Sequence, residues 1–423
     1  MPAALVRRIL LCLVIAAPAI AMRVTGIEFT PVADLFIFGA AVVAAAFLLA
    51  WAAEAAQKDI SGTLAIALLA LIAVLPEYAV DLYYAFRAGS DPAYTHFAAA
   101  NMTGSNRLLL GFGWPLVVIV ALVVARRRQS ADAGGAGLNR FLRLPGEARL
   151  DIGFLAVLSV IAFAIPLLGS IPLWFGLVLI AMFVLYLWRA SRVHEDEEEE
   201  FVGAAALIAG MPTRSRRITV VALFLVSAAI ILTSAEPFAE ALVASGTSLG
   251  IDSYFLVQWL APLASEAPEF IIAVMFALRG HGAAAIGTLI ASKVNQWSLL
   301  VGSLPVAYWI GGGTAALPLD GRQVEEFVLT ATQTVLGVAI IIALRFRLWS
   351  AIGLAVLFAV QFFVTDTGGR YVLSAIQTVF ALGFLIAHRR DILATLAAPF
   401  KKAQAVADAP ERESVTAGAG NRS

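Results

Sequence analysis

The chain has 423 residues, 61% of them hydrophobic and 14% charged, with a mean hydropathy of +0.89 and a formal net charge of +0. A soluble fold of this length has too little interior for so much apolar surface, so the chain reads as a polytopic membrane protein. Its charge balance argues against a nucleic-acid partner, and the single cysteine, Cys12, excludes an intrachain disulfide or a thiolate metal cluster.

Crossing the hydrocarbon takes about 20 apolar residues per helix. Twelve stretches qualify, at 5–22, 33–54, 60–86, 95–125, 151–168, 171–188, 218–245, 253–278, 282–310, 326–344, 349–364 and 371–388. Several exceed the minimum and carry Pro, Gly or polar interruptions, the mark of tilted or broken helices. The expected fold is an all-α polytopic membrane protein. The first stretch, with Arg7-Arg8 before it and Ala17-Pro18-Ala19-Ile20-Ala21 at its end, also has the outline of a cleaved signal peptide. It is read as a retained helix; cleavage leaves the other eleven oriented as before.

Basic residues alternate with the spans. Arg7 and Arg8 precede the first and Lys58 follows the second; Arg126, Arg127, Arg128, Arg140, Arg143 and Arg149 follow the fourth. Arg189, Arg192, Arg214, Arg216 and Arg217 follow the sixth, and Arg279, Arg345, Arg347, Arg389, Arg390, Lys401 and Lys402 fall on the same side. The opposite connections hold little beyond Arg23, Arg87, Arg322 and Arg370. By the positive-inside rule both termini lie in the cytoplasm of a multi-pass protein of the cell (inner) membrane.

A motif is written twice. Leu75-Pro76-Glu77, followed by Asn101-Met102-Thr103-Gly104-Ser105-Asn106, returns as Ala267-Pro268-Glu269, followed by Thr288-Leu289-Ile290-Ala291-Ser292-Lys293. The copies sit five spans apart, and an odd offset inverts the second relative to the first in the membrane. Proline frees helix carbonyls and the neighbouring carboxylate supplies hard anionic oxygen, so a small dehydrated cation is the natural ligand. Asn101, Thr103, Ser105 and Asn106 offer neutral oxygens, and Gly104 allows close backbone approach.

At these residues the chain resembles the sodium/calcium exchanger family of the cation/calcium antiporter superfamily, as a divergent, bacterial-type member. That family carries two inverted repeats with Gly-Thr-Ser-Leu-Pro-Glu and Gly-Asn-x-x-Gly-Ser-Asn type segments. The resemblance implies a ten-helix core of two inverted five-helix repeats from about 33 to 364, with one extra helix at each end. The implied organisation is an N-terminal helix (1–32), a first repeat (33–188), an acidic linker (189–217), a second repeat (218–364), an extra helix (365–402) and a flexible tail (403–423). It implies Glu77 and Glu269 as the central cation-binding carboxylates, Asn101 as an amide ligand, and Ser105 and Ser292 as the matching hydroxyl positions.

The departures concern the same ligands. Ala73 and Val74 replace the Thr-Ser that precedes Leu-Pro-Glu, whereas Ser265-Glu266 stand there in the second copy and add a carboxylate. Thr288 stands where the family has Asn or Asp, Lys293 replaces the last Asn of Gly-Ser-Asn, and Arg107 follows the corresponding Asn106. Lys293 is read as a tethered cation that reduces sodium binding or substitutes proton for sodium coupling. Glu266 either pairs with Lys293 or joins the site. Asp81, one turn beyond Glu77, is either a ligand or an interfacial carboxylate. Arg107 is read as an ion-pair member, because guanidinium is a poor proton carrier. Glu236 and Glu240 beside Pro237 are read as a solvated vestibule with a cation-capture role as the alternative.

The acidic run 195–200 reads as a solvated linker, and the glycine-rich 134–137 and the tail as flexible. No phosphate-binding loop appears, so neither an enzyme nor an ATP-driven pump is expected. The resemblance implies a secondary antiporter for inorganic cations, Ca2+ against Na+ or H+, with manganese or potassium as other substrates. No cofactor is expected, and the lipid bilayer is the one constant partner. The competing reading is a cation-binding, non-transporting scaffold or sensor derived from an exchanger.

Overall fold

The structure, a computed structural model, describes residues 1–59, 75–131, 140–192 and 201–401. The first half of the third expected span, with Ala73 and Val74, lies outside the described residues, as do the glycine-rich 134–137, the acidic run and the tail.

The described chain is helical, and every expected span coincides with helix wherever it is described. Among the described residues, nine helical segments are long and apolar enough to cross a membrane. Helix α1 (Ala3–Thr25) lays Leu5, Cys12, Ala16 and Ala19, at helical spacing, against its neighbours. Helix α2 (Pro31–Ala56) opens on Thr30, whose hydroxyl accepts the Ala33 N–H, with Pro31 in the first turn.

The remaining elements fall into two copies of one plan. In the first copy, α2 is followed by α3 (Leu75–Ser90), then by α4 (Ala100–Leu108), which runs through a π turn (Leu109–Gly113) into α5 (Trp114–Ala131). A short strand β1 (Phe141–Arg143), α6 (Ala148–Ile161), α7 (Ala164–Leu168), strand β2 (Ser170–Pro172) and α8 (Leu173–Ala190) complete it. After a short α9 (Gly203–Ala209), the second copy runs α10 (Thr213–Leu249), α11 (Ser253–Arg279) and α12 (Gly282–Asn295), again through a π turn (Gln296–Leu300) into α13 (Val301–Ile310). It closes with β3 (Ala316–Pro318), α14 (Gly321–Ile341), β4 (Arg345–Arg347) and α15 (Leu348–Val360). Two further helices, α16 (Thr367–Ala387) and α17 (Arg389–Ala397), follow.

The inversion is visible in the strands. β1 pairs antiparallel with β4, and β2 with β3. Exchanging the copies turns one pair into the other, and the two pairs sit at opposite ends of the helices that separate them. Within the bundle α2 lies along α10, while α11 packs on α4 and α5, and α3 on α13. Each copy therefore inserts its motif helices into the other.

At the arginine-rich end, Asp59 accepts from Arg216 Nε at 2.6 Å and Nη2 at 2.7 Å, and from Arg217 Nε at 3.2 Å. The hydrogen bond from Arg216, ahead of that from Arg217, lowers the Asp59 carboxyl from 3.8 to about 2. A lowered folded value means that this stabilisation is complete above the ordinary carboxylate range and is lost as pH falls from about 4 towards 2. Asp59→Asn leaves the Arg216 guanidinium, 8% exposed, without its counter-charge. The expected cost is about 3 kcal/mol, read as a lowered unfolding midpoint of the detergent-solubilised protein at pH 7; an unchanged midpoint contradicts the pairing.

Candidate cation site

Glu77 lies in the first turn of α3, and Glu266 and Glu269 lie about one turn apart on α11, where Pro268 interrupts the hydrogen-bond ladder. Ser105 Oγ donates to Glu77 Oε1 at 2.6 Å, and Ser292 Oγ donates to Glu269 Oε2 at 2.9 Å. The same serine-to-glutamate contact thus recurs at equivalent places in the two copies. Each serine stands one turn before a π turn, a local widening frequent where a helix serves a site.

A cavity of about 20 Å3, room for about one water-sized particle, opens between these groups. Glu77, Glu266, Glu269, Ser265 and both motif prolines line it, with Ala46 and Ala50 of α2 as an apolar wall. Gln296, the first residue of the second π turn, closes one side. Its Nε2 lies 2.6 Å from Glu266 Oε1, 2.8 Å from Ser105 Oγ and 3.1 Å from Glu77 Oε1. Ser105 Oγ also contacts Glu266 Oε1. Glu266 Oε2 and Gln296 Oε1 are buried and have no hydrogen-bond partner among the described residues. Such a set, carboxylates plus neutral oxygens with unused lone pairs, suits a hard cation. Gln296 was not singled out by motif reading. Its signal was spacing: it follows Ser292 by four residues and shares its helix face.

The other candidate residues divide. Asp81 is fully buried and its Oδ2 accepts from Asn101 Nδ2 at 2.9 Å; the remaining oxygen of each, Asp81 Oδ1 and Asn101 Oδ1, is buried without a partner. Thr288 does not join the cavity: it is exposed and its hydroxyl donates to Ala284 O in its own helix at 3.1 Å. Ala273 occupies the place in the second copy that Asp81 holds in the first, so Thr288 has no carboxylate to meet.

Lys293 is 1% exposed, and its Nζ donates to the backbone O and the side-chain Oδ1 of Asn106, each at 2.8 Å. It forms no ion pair with Glu266 among the described residues; Glu266 faces the cavity instead. Arg107 turns away from the cavity. Its Nη2 meets Glu326 Oε2 at 2.5 Å, its Nη1 donates to Gln361 Oε1 at 3.2 Å, and its guanidinium lies 4.9 Å from the centre of the Trp259 ring. Arg370 of α16 bonds Glu326 at 2.5 Å and Glu325 at 2.7 Å, so this network ties α16 to the core. Glu240 accepts from the hydroxyls of Tyr83 and Tyr94, and the exposed Glu236 pairs with Arg23 at 2.7 Å.

Residues 31–191 and 219–365 match the family model described as sodium/calcium exchanger protein. No curated protein sequence matches the chain. Among solved structures, the crystal structure of the H+/Ca2+ exchanger CAX is similar at 37% identity and a TM-score of 0.87, covering 96% of this chain and 98% of that one. The structure of native YfkE shares the fold at 14% identity and a TM-score of 0.57, covering 89% and 99% of the two chains. The sodium-calcium exchanger NCX_Mj does so at 15% identity and a TM-score of 0.51, covering 80% and 100%.

The site also depends on a backbone approach. A Cβ on Gly104 would stand 1.6 Å from the carbonyl oxygen of Gln258, so α4 meets α11 here only because the side chain is a hydrogen. A Cβ on Gly287 would meet nothing within 4 Å. Gly104→Ala is expected to destabilise by about 3 kcal/mol or more, whereas Gly287→Ala leaves stability near the parent value. Size-exclusion profiles and unfolding midpoints of the two variants check this, and a well-folded Gly104→Ala at parental stability contradicts it.

Proposed function

Because the chain belongs to the sodium/calcium exchanger protein family, we propose that it is a secondary antiporter that exchanges calcium for protons at the cavity between Glu77, Glu266 and Glu269. The observation that carries this reading is a shortage of hydrogens. Five close contacts join Glu77, Glu266, Ser105 and Gln296, yet a serine hydroxyl supplies one hydrogen, the amide two, and an ionised carboxylate none. A proton shared between Glu77 and Glu266 supplies the missing donor. Calcium removes the need for it by taking the same oxygens as ligands. Protons and calcium therefore compete for one set of atoms.

Charge counting fits the same exchange. The three cavity carboxylates and the Lys293 ammonium sum to −2 when ionised, which one calcium ion or two protons neutralise. Lys293 also weighs against sodium. Its ammonium occupies both oxygens of Asn106, neutral ligands that a sodium ion would otherwise use. The similarity to the H+/Ca2+ exchanger CAX supports protons as the counter-substrate.

In the proposed cycle the flanking helices α2 and α10 open the cavity to either side in turn, since the cavity wall contributed by α2 is alanine and holds no polar contact to break. Asp81 and Asn101 form a neighbouring oxygen pair on the route to the cavity. Orientation follows the basic residues, with both termini in the cytoplasm and the protein in the cell membrane.

The test is calcium-45 flux into proteoliposomes under an imposed proton gradient, sodium gradient or neither. The expected result is proton-driven uptake that falls to the level of empty liposomes in Glu77→Gln and Glu269→Gln. Lys293→Asn, which frees the Asn106 oxygens, is expected to make uptake sensitive to sodium. Transport by Lys293→Asn that matches the parent under every gradient refutes the tethered-cation role, and no parental flux under any gradient refutes calcium exchange and favours a non-transporting protein.

A further inference from the structure

The two strand pairs are equivalent by the internal symmetry, but only one is charged. β2–β3 aligns Ser170, Ile171 and Pro172 with Pro318, Leu317 and Ala316. β1–β4 aligns Phe141, Leu142 and Arg143 with Arg347, Phe346 and Arg345. Phe346 is buried, so by strand alternation Phe141, Arg143, Arg345 and Arg347 share the other face. Arg143 stands directly opposite Arg345, and like charges in that relation are destabilising unless an anion lies between them. The fold does not require them, as the uncharged pair at the opposite end shows.

Beside this ribbon is an open groove of about 400 Å3. Its walls are apolar: Ala121, Leu122, Val124 and Ala125 along the last turns of α5, with Leu142 and Phe141 from β1, and Arg143 at the rim. The α5 wall ends at the exposed Arg126 and Arg127, and Arg140, Arg345 and Arg347 are exposed as well. Arg345 lies 5.5 Å from the centre of the Phe141 ring. Trp349, 56% exposed, stacks on Phe384 just beyond β4, a placement typical of the membrane–water boundary.

We infer that this groove is a binding site for an anionic phospholipid of the cytoplasmic leaflet, with the phosphate between Arg143, Arg345 and Arg347 and an acyl chain against α5. A free phosphate has no use for the apolar wall. A zwitterionic lipid answers only part of the charge. Basic pockets beside membrane helices on this side are suited to anionic headgroups, each arginine contributing to the attraction.

The test is native mass spectrometry of the full-length protein with phosphatidylglycerol, phosphatidylcholine or inorganic phosphate. Expected are phosphatidylglycerol adducts that Arg345→Gln/Arg347→Gln weakens on the order of 30-fold. Ala125→Trp, which fills the groove and keeps every charge, is expected to weaken them too. Arg389→Gln/Arg390→Gln, which removes two exposed charges elsewhere on the same side, is expected to leave them unchanged. Equal weakening by the Arg389/Arg390 variant reduces the effect to general surface attraction and overturns the site. Equal binding of inorganic phosphate or phosphatidylcholine overturns the choice of ligand. Adducts that form only after the acidic run 195–200 is neutralised assign the groove to that run instead.

Discussion

Burial of carboxylates at membrane depth is the constraint on which the rest of this structure depends. Glu77 and Glu266 are 5% and 2% exposed and share a cavity with Glu269. Ionised and unaccompanied, each would cost several kcal/mol. The site is therefore stable only with a cation or with protons. The flanking features present oxygens to whichever is there: two serines, one amide, and prolines that break the ladder. A site that tolerates neither emptiness nor full ionisation exchanges one positive species for another.

The duplicated plan explains both the strength and the asymmetry of this arrangement. Symmetry supplies the paired Glu77–Ser105 and Glu269–Ser292 contacts and the paired π turns. The second copy then departs from the first twice. Glu266 stands where the first copy has Val74, and Lys293 where it has Asn106. One departure adds a negative charge and the other a positive one, so the pair alters which atoms face the cavity without altering the net charge. The ammonium falls on Asn106 of the opposite copy, and so joins the two halves through a hydrogen-bonded cation instead of a mobile ion.

Much of the fold was legible in the sequence, because membrane helices advertise themselves by length and hydropathy, and because Pro-Glu in apolar sequence is costly enough to be noticed when it recurs. The strands were not legible: each has three residues, too few for an alternating pattern, and their pairing is set by the helix ends that carry them. The place of Arg107 could have been read from helix geometry. It follows Ser105 by two residues, nearly half a turn round, and so faces Glu326 when Ser105 faces the cavity. Thr288 misled for the opposite reason, since its spacing to Ser292 is right but its partner carboxylate is absent. Gln296 lay just past the motif, in a turn whose widening no residue type announces.

The central claim is that calcium and protons use the same oxygens. The most direct measurement is isothermal titration of calcium into the purified protein in buffers of differing ionisation enthalpy, which counts the protons released per ion bound. The account predicts release of about two protons per calcium near neutral pH, falling to about one in Glu266→Gln. Calcium binding with no proton release in either protein would contradict it.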